Sequence, residues 1–282
     1  MATDRRMYRR IRDVALAEEL TAARAFAAAL FDAGQRVASA LRDGGLAAAE
    51  SEIESLAEKH GEKLREAHMR HALPAAVAAH TVARSATIAQ QRRSLVAGAK
   101  QDALISPGFN EAAMLRRYIE VGIEEWIRDT ARRETETTAS NLAKILRSTW
   151  DASKDLDPIT EPRDIGWVVQ QFLGVVADQT EARAKLMART TMIWSANEAA
   201  ELAYADAGVE IVEWFTAEDE LLCPFCAAMD GTQINIGGSF AAEGDTVTGV
   251  DADGNEAVHR IGIDVKHPPL HPNCRCTLLP VV

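Results

Sequence analysis

The sequence is short of aromatic side chains, which make up 5% of its 282 residues. A chain with so few large rings fills its core with smaller groups. Apolar runs are short as well: none approaches the roughly 18 residues that cross a bilayer, and the opening Met1-Ala-Thr-Asp-Arg-Arg6 lacks the apolar stretch of a secretory signal. The expectation is a chain made in the cytoplasm, with no membrane partner. Cysteine is absent before position 223, which excludes a fold knitted by disulfides along its length. Basic residues nearly vanish toward the end. Residues 201–282 carry 3 basic against 14 acidic side chains, so this block would repel a phosphate backbone, and generic nucleic-acid binding there is excluded. Common catalytic signatures are missing too: there is no H-E-x-x-H, no G-x-S-x-G and no glycine loop followed by Lys-Ser or Lys-Thr. His60-Gly61-Glu62 supplies the H-x-E of a zinc deaminase, but that signature has a proline before its paired cysteines, and here Pro224 follows Cys223. The reading is of a non-enzyme without a small-molecule substrate.

What is abundant is alanine, about 50 residues, which combines the highest helix propensity with little area to bury. Long, thinly packed helices follow. Residues 5–31 predict a helix with Met7, Ile11, Val14 and Ala15 on one stripe, ringed by Arg5, Arg6, Arg9, Arg10 and Arg12. Gly44-Gly45 predicts a break, residues 46–69 a second helix carrying Ile53, Leu56, His60 and Leu64, and a third helix starts after Pro74. Ser106-Pro107-Gly108 is the next stop. Offsets of three and four through Leu115, Tyr118, Ile119, Ile123, Trp126 and Ile127, then Leu142, Ile145 and Leu146, predict a helix over 111–150. Asp157 to Pro162 reads as a linker, after which Trp167–Val176 and Leu186–Ala207 predict two further helices, the second closed by Gly208. The arginines of 5–12, with Arg92, Arg93, Arg116 and Arg117, suit either contact with packaged DNA or a solvated face paired with acids such as Glu18 and Glu19.

Past Gly208 the character changes to short β-branched runs at Val209–Phe215, Thr232–Ile236 and Ala257–Val265, bounded by glycines. Asp251-Ala-Asp253-Gly254-Asn255 reads as a hairpin turn. All four cysteines lie here, Cys223-Pro-Phe-Cys226 in one cluster and His271-Pro-Asn-Cys274-Arg-Cys276 in the other. Two residues between two thiolates let both sulfurs reach one ion at about 2.3 Å, as structural Zn²⁺ requires. Five donors compete for four positions. Cys223, Cys226 and Cys274 lead, with His271 and Cys276 contending for the fourth, and disulfides or inert thiols remain open alternatives. His259 and His267 lie near enough in sequence to ligate or tune a metal, although a solvated ring is the default for each. The fold class expected is a mainly α-helical N-terminal region, 1–157, followed over 158–282 by a small C-terminal α+β, loop-rich, zinc-stapled module.

The C-terminal hundred residues resemble a known family. Ala188-Arg189-Thr190-Thr191, Asn197, Trp214-Phe-Thr216 with Asp219, Cys223-Pro-Phe-Cys226, Asp230-Gly231, Phe240 and Pro268-Pro-Leu-His271-Pro-Asn-Cys274-Arg-Cys276 are similar to the motifs of the Mu protein F-like minor head proteins of phages, also called head morphogenesis proteins. Thr191 stands where that family has glutamate. The resemblance implies a structural protein of the virion, inside the capsid near the portal, taking part in head assembly and in DNA packaging or ejection. It implies the portal protein and the major capsid or scaffolding protein as partners, with nothing following Val282 of the toxin or transferase kind that some relatives carry.

Overall fold

The computed structural model describes residues 5–96, 111–153, 165–216, 223–250 and 254–281. The expected stop at Ser106-Pro107-Gly108 and the linker from Asp157 to Pro162 lie outside them. The chain is mostly helical with small C-terminal strands: α1 (Arg5–Ala17), α2 (Glu19–Val96), α3 (Glu111–Ala152), α4 (Ile165–Asp206), β1 (Ile211–Phe215), α5 (Pro224–Met229), β2 (Gln233–Asn235), β3 (Thr246–Val250), β4 (Glu256–Arg260) and β5 (Thr277–Val281).

The helix expected over 5–31 is broken at Glu18 into α1 and the start of α2, but the later helices are longer than the breaks in the sequence predict. Gly45 does interrupt α2, with φ 74° and ψ −166°, as a kink between two helical runs. Pro74, however, sits inside α2 and ends nothing. Pro74 and Arg70, one turn earlier, are both exposed, so the carbonyl that loses its N–H partner lies on the solvent side, where water replaces the bond. The two helices expected at 167–176 and 186–207 are one, α4. The intervening stretch is polar yet helix-compatible: Lys185 pairs with Glu181 at 2.6 Å, and the Thr180 hydroxyl donates to the Val176 carbonyl. Gly208 closes α4 as expected. Its φ is 73°, and the bonds Gly208 N–H to Ala205 O and Val209 N–H to Tyr204 O make a left-handed glycine cap.

Two compact units form, each from separated stretches of chain. One comprises Leu20–Arg70 and Glu124–Ala188. Its core gathers Val37, Leu41, Leu56, Leu142, Leu146 and Phe172, all nearly sealed from solvent, with alanines filling the close approaches. The other comprises Met1–Glu19, His71–Ile123 and Arg189–Val282. In it β1 is the centre of an antiparallel sheet of order β2-β1-β5, with Val212 opposite Pro280 and Phe215 opposite Thr277, and β3 pairs antiparallel with β4, while Asp251 to Asp253 of the expected turn lie outside the described residues. Pro280 is tolerated because β5 is an edge strand. The sequence runs that predicted β1, β2 and β4 form them. The strands β3 and β5 were not predicted: glycine in Thr-Val-Thr-Gly-Val and proline in Thr-Leu-Leu-Pro-Val weaken the strand signal that pairing overrides.

Candidate metal centre

Cys223 is the N-cap of α5, and its Sγ accepts the backbone N–H of Cys226 at 3.3 Å. Pro224 at the first helical position presets the turn. The pair Cys223 and Cys226 therefore faces one direction. Against it comes the loop before β5. The His271 Nδ1–H donates to the Pro272 carbonyl at 2.7 Å, which leaves Nε2 as the free donor atom, 2.9 Å from Cys223 Sγ and 3.2 Å from Cys226 Sγ. Cys226 Sγ also lies 3.6 Å from Cys274 Sγ, and Cys276 joins Cys226 and Cys274 in a second group of donor atoms. All five residues singled out in the sequence come together, with Cys226 shared between the two groups. The four cysteines are free thiols, with no disulfide between them.

These residues fit a metal ion. Tetrahedral Zn²⁺ with sulfur at about 2.3 Å sets neighbouring sulfurs about 3.8 Å apart, close to the 3.6 Å found between Cys226 and Cys274. The imidazole tautomer is already the ligating one. The electrostatics point the same way. Hydrogen bonding from Cys226, aided by His271 and opposed by burial, pulls the Cys223 thiol down to about 4, while Cys223 and Cys274 push Cys226 up. Cys274 is held well below its ordinary value by hydrogen bonds from Cys226 and Cys276, and Cys276, although its contact with Cys226 lowers it, is pushed up on balance by Cys274 and by burial. The Cys223 contact lifts His271 to about 9 against the effect of burial. Without a cation the cluster divides protons among its sulfurs. A divalent ion would let them all be thiolates.

Residues of the sequence motifs frame this cluster. Arg189 forks onto Glu19, at 2.6 and 3.1 Å, and donates to Asn273 Oδ1 at 2.5 Å, while Thr190 Oγ1 accepts the Asn273 N–H. Asn273 holds a left-handed φ of 69° in the middle of the ligand loop, a conformation asparagine tolerates better than most residues. Asn197 on α4 donates to the Cys276 carbonyl and accepts the Leu278 N–H, tying β5 to the helix. Asp230 accepts both the N–H and the hydroxyl of Thr216. Phe240 packs edge-on against the sealed Trp214 at 5.2 Å. Thr191 is buried on α4, and Asp219 lies outside the described residues. The hairpin closes over α5, where Gly249 is required: a Cβ there would overlap the Pro224 carbonyl.

The other expected features fall elsewhere. His259 is half-buried and stacks 5.3 Å from Phe225, flanking His271 at 6.4 Å between ring centres. His267 is not solvated as expected. It is 4% exposed and meets Glu198, because the loop before β5 tucks it against α4. Glu198 and Glu201 carry a signal visible in the sequence, two carboxylates one turn apart in an alanine-rich helix face, that motif spacing alone does not single out. His60 belongs to the other unit. Arg9, Arg10, Arg116 and Arg117 are exposed, Arg12 lies beside Asp13, and the side chains of Arg5, Arg6, Arg92 and Arg93 are not among those described. No helix among the described residues is long and apolar enough to cross a membrane.

A helical chain ending in a small β module, drawn together by cysteine and histidine side chains that could hold a metal ion, is the class of protein that this fold defines. The family described as phage Mu protein F like protein matches residues 105–279, more than half of the sequence, and the chain belongs to that family. No curated protein and no solved structure matched it.

Proposed function

We propose that this chain is a minor capsid protein of a tailed phage or prophage, made in the host cytoplasm and built into the procapsid, inside the head near the portal. There it acts in head assembly and in the packaging or ejection of DNA. Its work is association rather than catalysis. The observation that carries this reading is that Arg189, Thr190, Asn197, Asn273 and Asp230 all engage backbone or one another around the cysteine loops, as parts of a brace do. We assign Zn²⁺ to the clasp, held by Cys223, Cys226, His271 and Cys274, with Cys276 beside the shell. Thiolates with one imidazole suit Zn²⁺, and four protein donors leave no position for a substrate. The ion would supply folding energy to a small module.

In this reading the alanine-rich region 1–157 carries the surface that docks on the portal and on the capsid or scaffolding proteins, and 158–282 is the clasped module. The test is co-production with the portal, scaffolding and major capsid proteins of the same phage, followed by purification of heads and metal analysis. The full chain is expected in the heads with about one zinc per copy. A variant with the exposed Arg9 and Arg10 changed to Glu, which leaves every buried residue of α1 and α2 in place, is expected to stay soluble and zinc-loaded but to be depleted from heads. A full chain that never enters heads, or a variant that enters normally, overturns the assignment.

A further inference from the structure

Glu198 and Glu201 sit one turn apart on α4, and His267 reaches them from the loop before β5. The ligand atoms of the three lie within 4.8 Å of one another. The His267 ring is held on both sides. Its Nδ1–H donates to the Pro268 carbonyl at 2.7 Å, and Trp194 packs on it with ring centres 5.1 Å apart. With Nδ1 protonated, a neutral ring presents the Nε2 lone pair, and that atom is 2.9 Å from Glu198 Oε2. Two atoms bearing lone pairs approach so closely only with a cation on or between them. A proton satisfies that one pair, whereas Glu201 adds a second carboxylate, fixed by the Gly237 N–H at 3.0 Å. A divalent ion satisfies all three.

We propose that Glu198, Glu201 and His267 form a second metal site, distinct from the cysteine cluster, for a divalent transition-metal ion whose shell water completes. The spacing fits. Adjacent donors on a six-coordinate ion at about 2.1 Å stand about 3 Å apart, against the 2.9 Å found. Two of the three ligands have the outer support that metal sites have: a carbonyl orients the imidazole and a backbone N–H orients Glu201. Two carboxylates and one nitrogen select a harder ion than thiolates do. Such an ion would tie α4 to the loop between β4 and β5.

Mn²⁺ separates the two sites because thiolates bind it poorly. Zinc-loaded wild type, titrated with Mn²⁺ and followed by the loss of the free-ion electron paramagnetic resonance signal, is expected to bind one Mn²⁺ per chain. The double variant Glu198→Gln/Glu201→Gln is expected to bind none. Bound zinc, measured in the same samples, should stay at its wild-type level in the double variant, so loss of the zinc clasp and loss of this site are read separately. Pulsed measurements on wild type alone should show coupling to a single imidazole nitrogen, an arm that stands if the double variant does not fold. Wild type that binds no Mn²⁺, bound Mn²⁺ without nitrogen coupling, or a folded double variant that binds as wild type does would each overturn the site and leave His267 and Glu198 a plain ion pair.

Discussion

Acid should weaken the chain through one residue far from any cysteine in sequence. His60 lies on the inner face of α2 between Leu56 and Leu64, and all three are buried. Burial, with the Arg36 charge adding to it, lowers its pKa from 6.5 to about 4. Among the described residues neither ring nitrogen has a hydrogen-bond partner, so the folded protein holds a neutral ring. As pH falls through 6.5 the unfolded chain takes up a proton that the folded chain refuses until about 4. The unfolded state binds more protons throughout that window, and stability therefore falls as pH falls. Each tenfold difference in proton affinity between the two states is worth about 1.4 kcal/mol, so the full loss is on the order of 3 kcal/mol, of which about 2.5 kcal/mol is gone by a pH of about 4.5.

The perturbation that isolates this effect is His60→Leu, a residue of similar bulk with no nitrogen to leave unpaired. At neutral pH the variant should be at least as stable as wild type, because an orphaned buried N–H costs roughly 1–3 kcal/mol and leucine removes it. Thermal and urea melts of both proteins at neutral pH and near pH 4.5 supply the comparison. Every other titrating group, the cysteine cluster included, contributes equally to both proteins and cancels in the difference. Wild type should lose about 2.5 kcal/mol more than the variant, or about 5–10 °C in Tm. Parallel pH profiles would mean that the folded protein protonates His60 readily, and the argument from burial would fail.

Replacing Asn197 by Ala strands the Leu278 N–H and the Cys276 carbonyl; a loss of about 2–4 kcal/mol and faster zinc transfer to a chelator are expected, and unchanged transfer would show that β5 does not brace the clasp. Gly249→Ala should push the hairpin off α5 and speed chelation in the same assay, while Gly174→Ala, at a position with nothing nearby, should not. Arg189→Lys keeps the charge but loses the fork on Glu19 and Asn273, so a modest fall in stability, about 1 kcal/mol, is expected by urea melts. Cys274→Ala should abolish zinc binding and Cys276→Ala should retain it; equal loss from both would place Cys276 in the shell.

The clasp is legible in the sequence because its chemistry is short-range. Two residues between Cys223 and Cys226 and the tight His271-to-Cys276 run fix where donors point, whatever the rest of the chain does. The helical extents are legible only in part. Pro74 and the polar stretch around Thr180 look like endings in one dimension, yet a proline on the wet face and a run of paired charges let a helix pass. Periodicity reports which residues prefer burial, not where a helix must stop. The strands β3 and β5 are hidden for the opposite reason, since their glycine and proline answer to neighbours: Gly249 to the Pro224 carbonyl, and Pro280 to its place on a sheet edge.

Least legible is what the motif residues outside the cysteines do. Arg189, Thr190 and Asn197 stand some 80 residues before the loop they hold, and no local rule connects a helix residue to the backbone of a strand that far along the chain. The structure supplies the link: Asn197 completes the bonding of β5 as a neighbouring strand would, and Arg189 with Thr190 fixes Asn273. The core of the module explains why such bracing is needed. Cys226, Cys274 and Cys276 are themselves among its buried residues, beside Trp214, Met229, Val247 and Leu270, so the groups that would bind metal occupy places that larger hydrophobes fill in a self-sufficient domain. A small module gains little from burial alone. Its sulfurs pack as core residues only while their charges are balanced, and the loop that delivers two of them is held by α4 through hydrogen bonds to backbone. Position and charge are thus supplied from different parts of the chain, and neither would hold the module without the other.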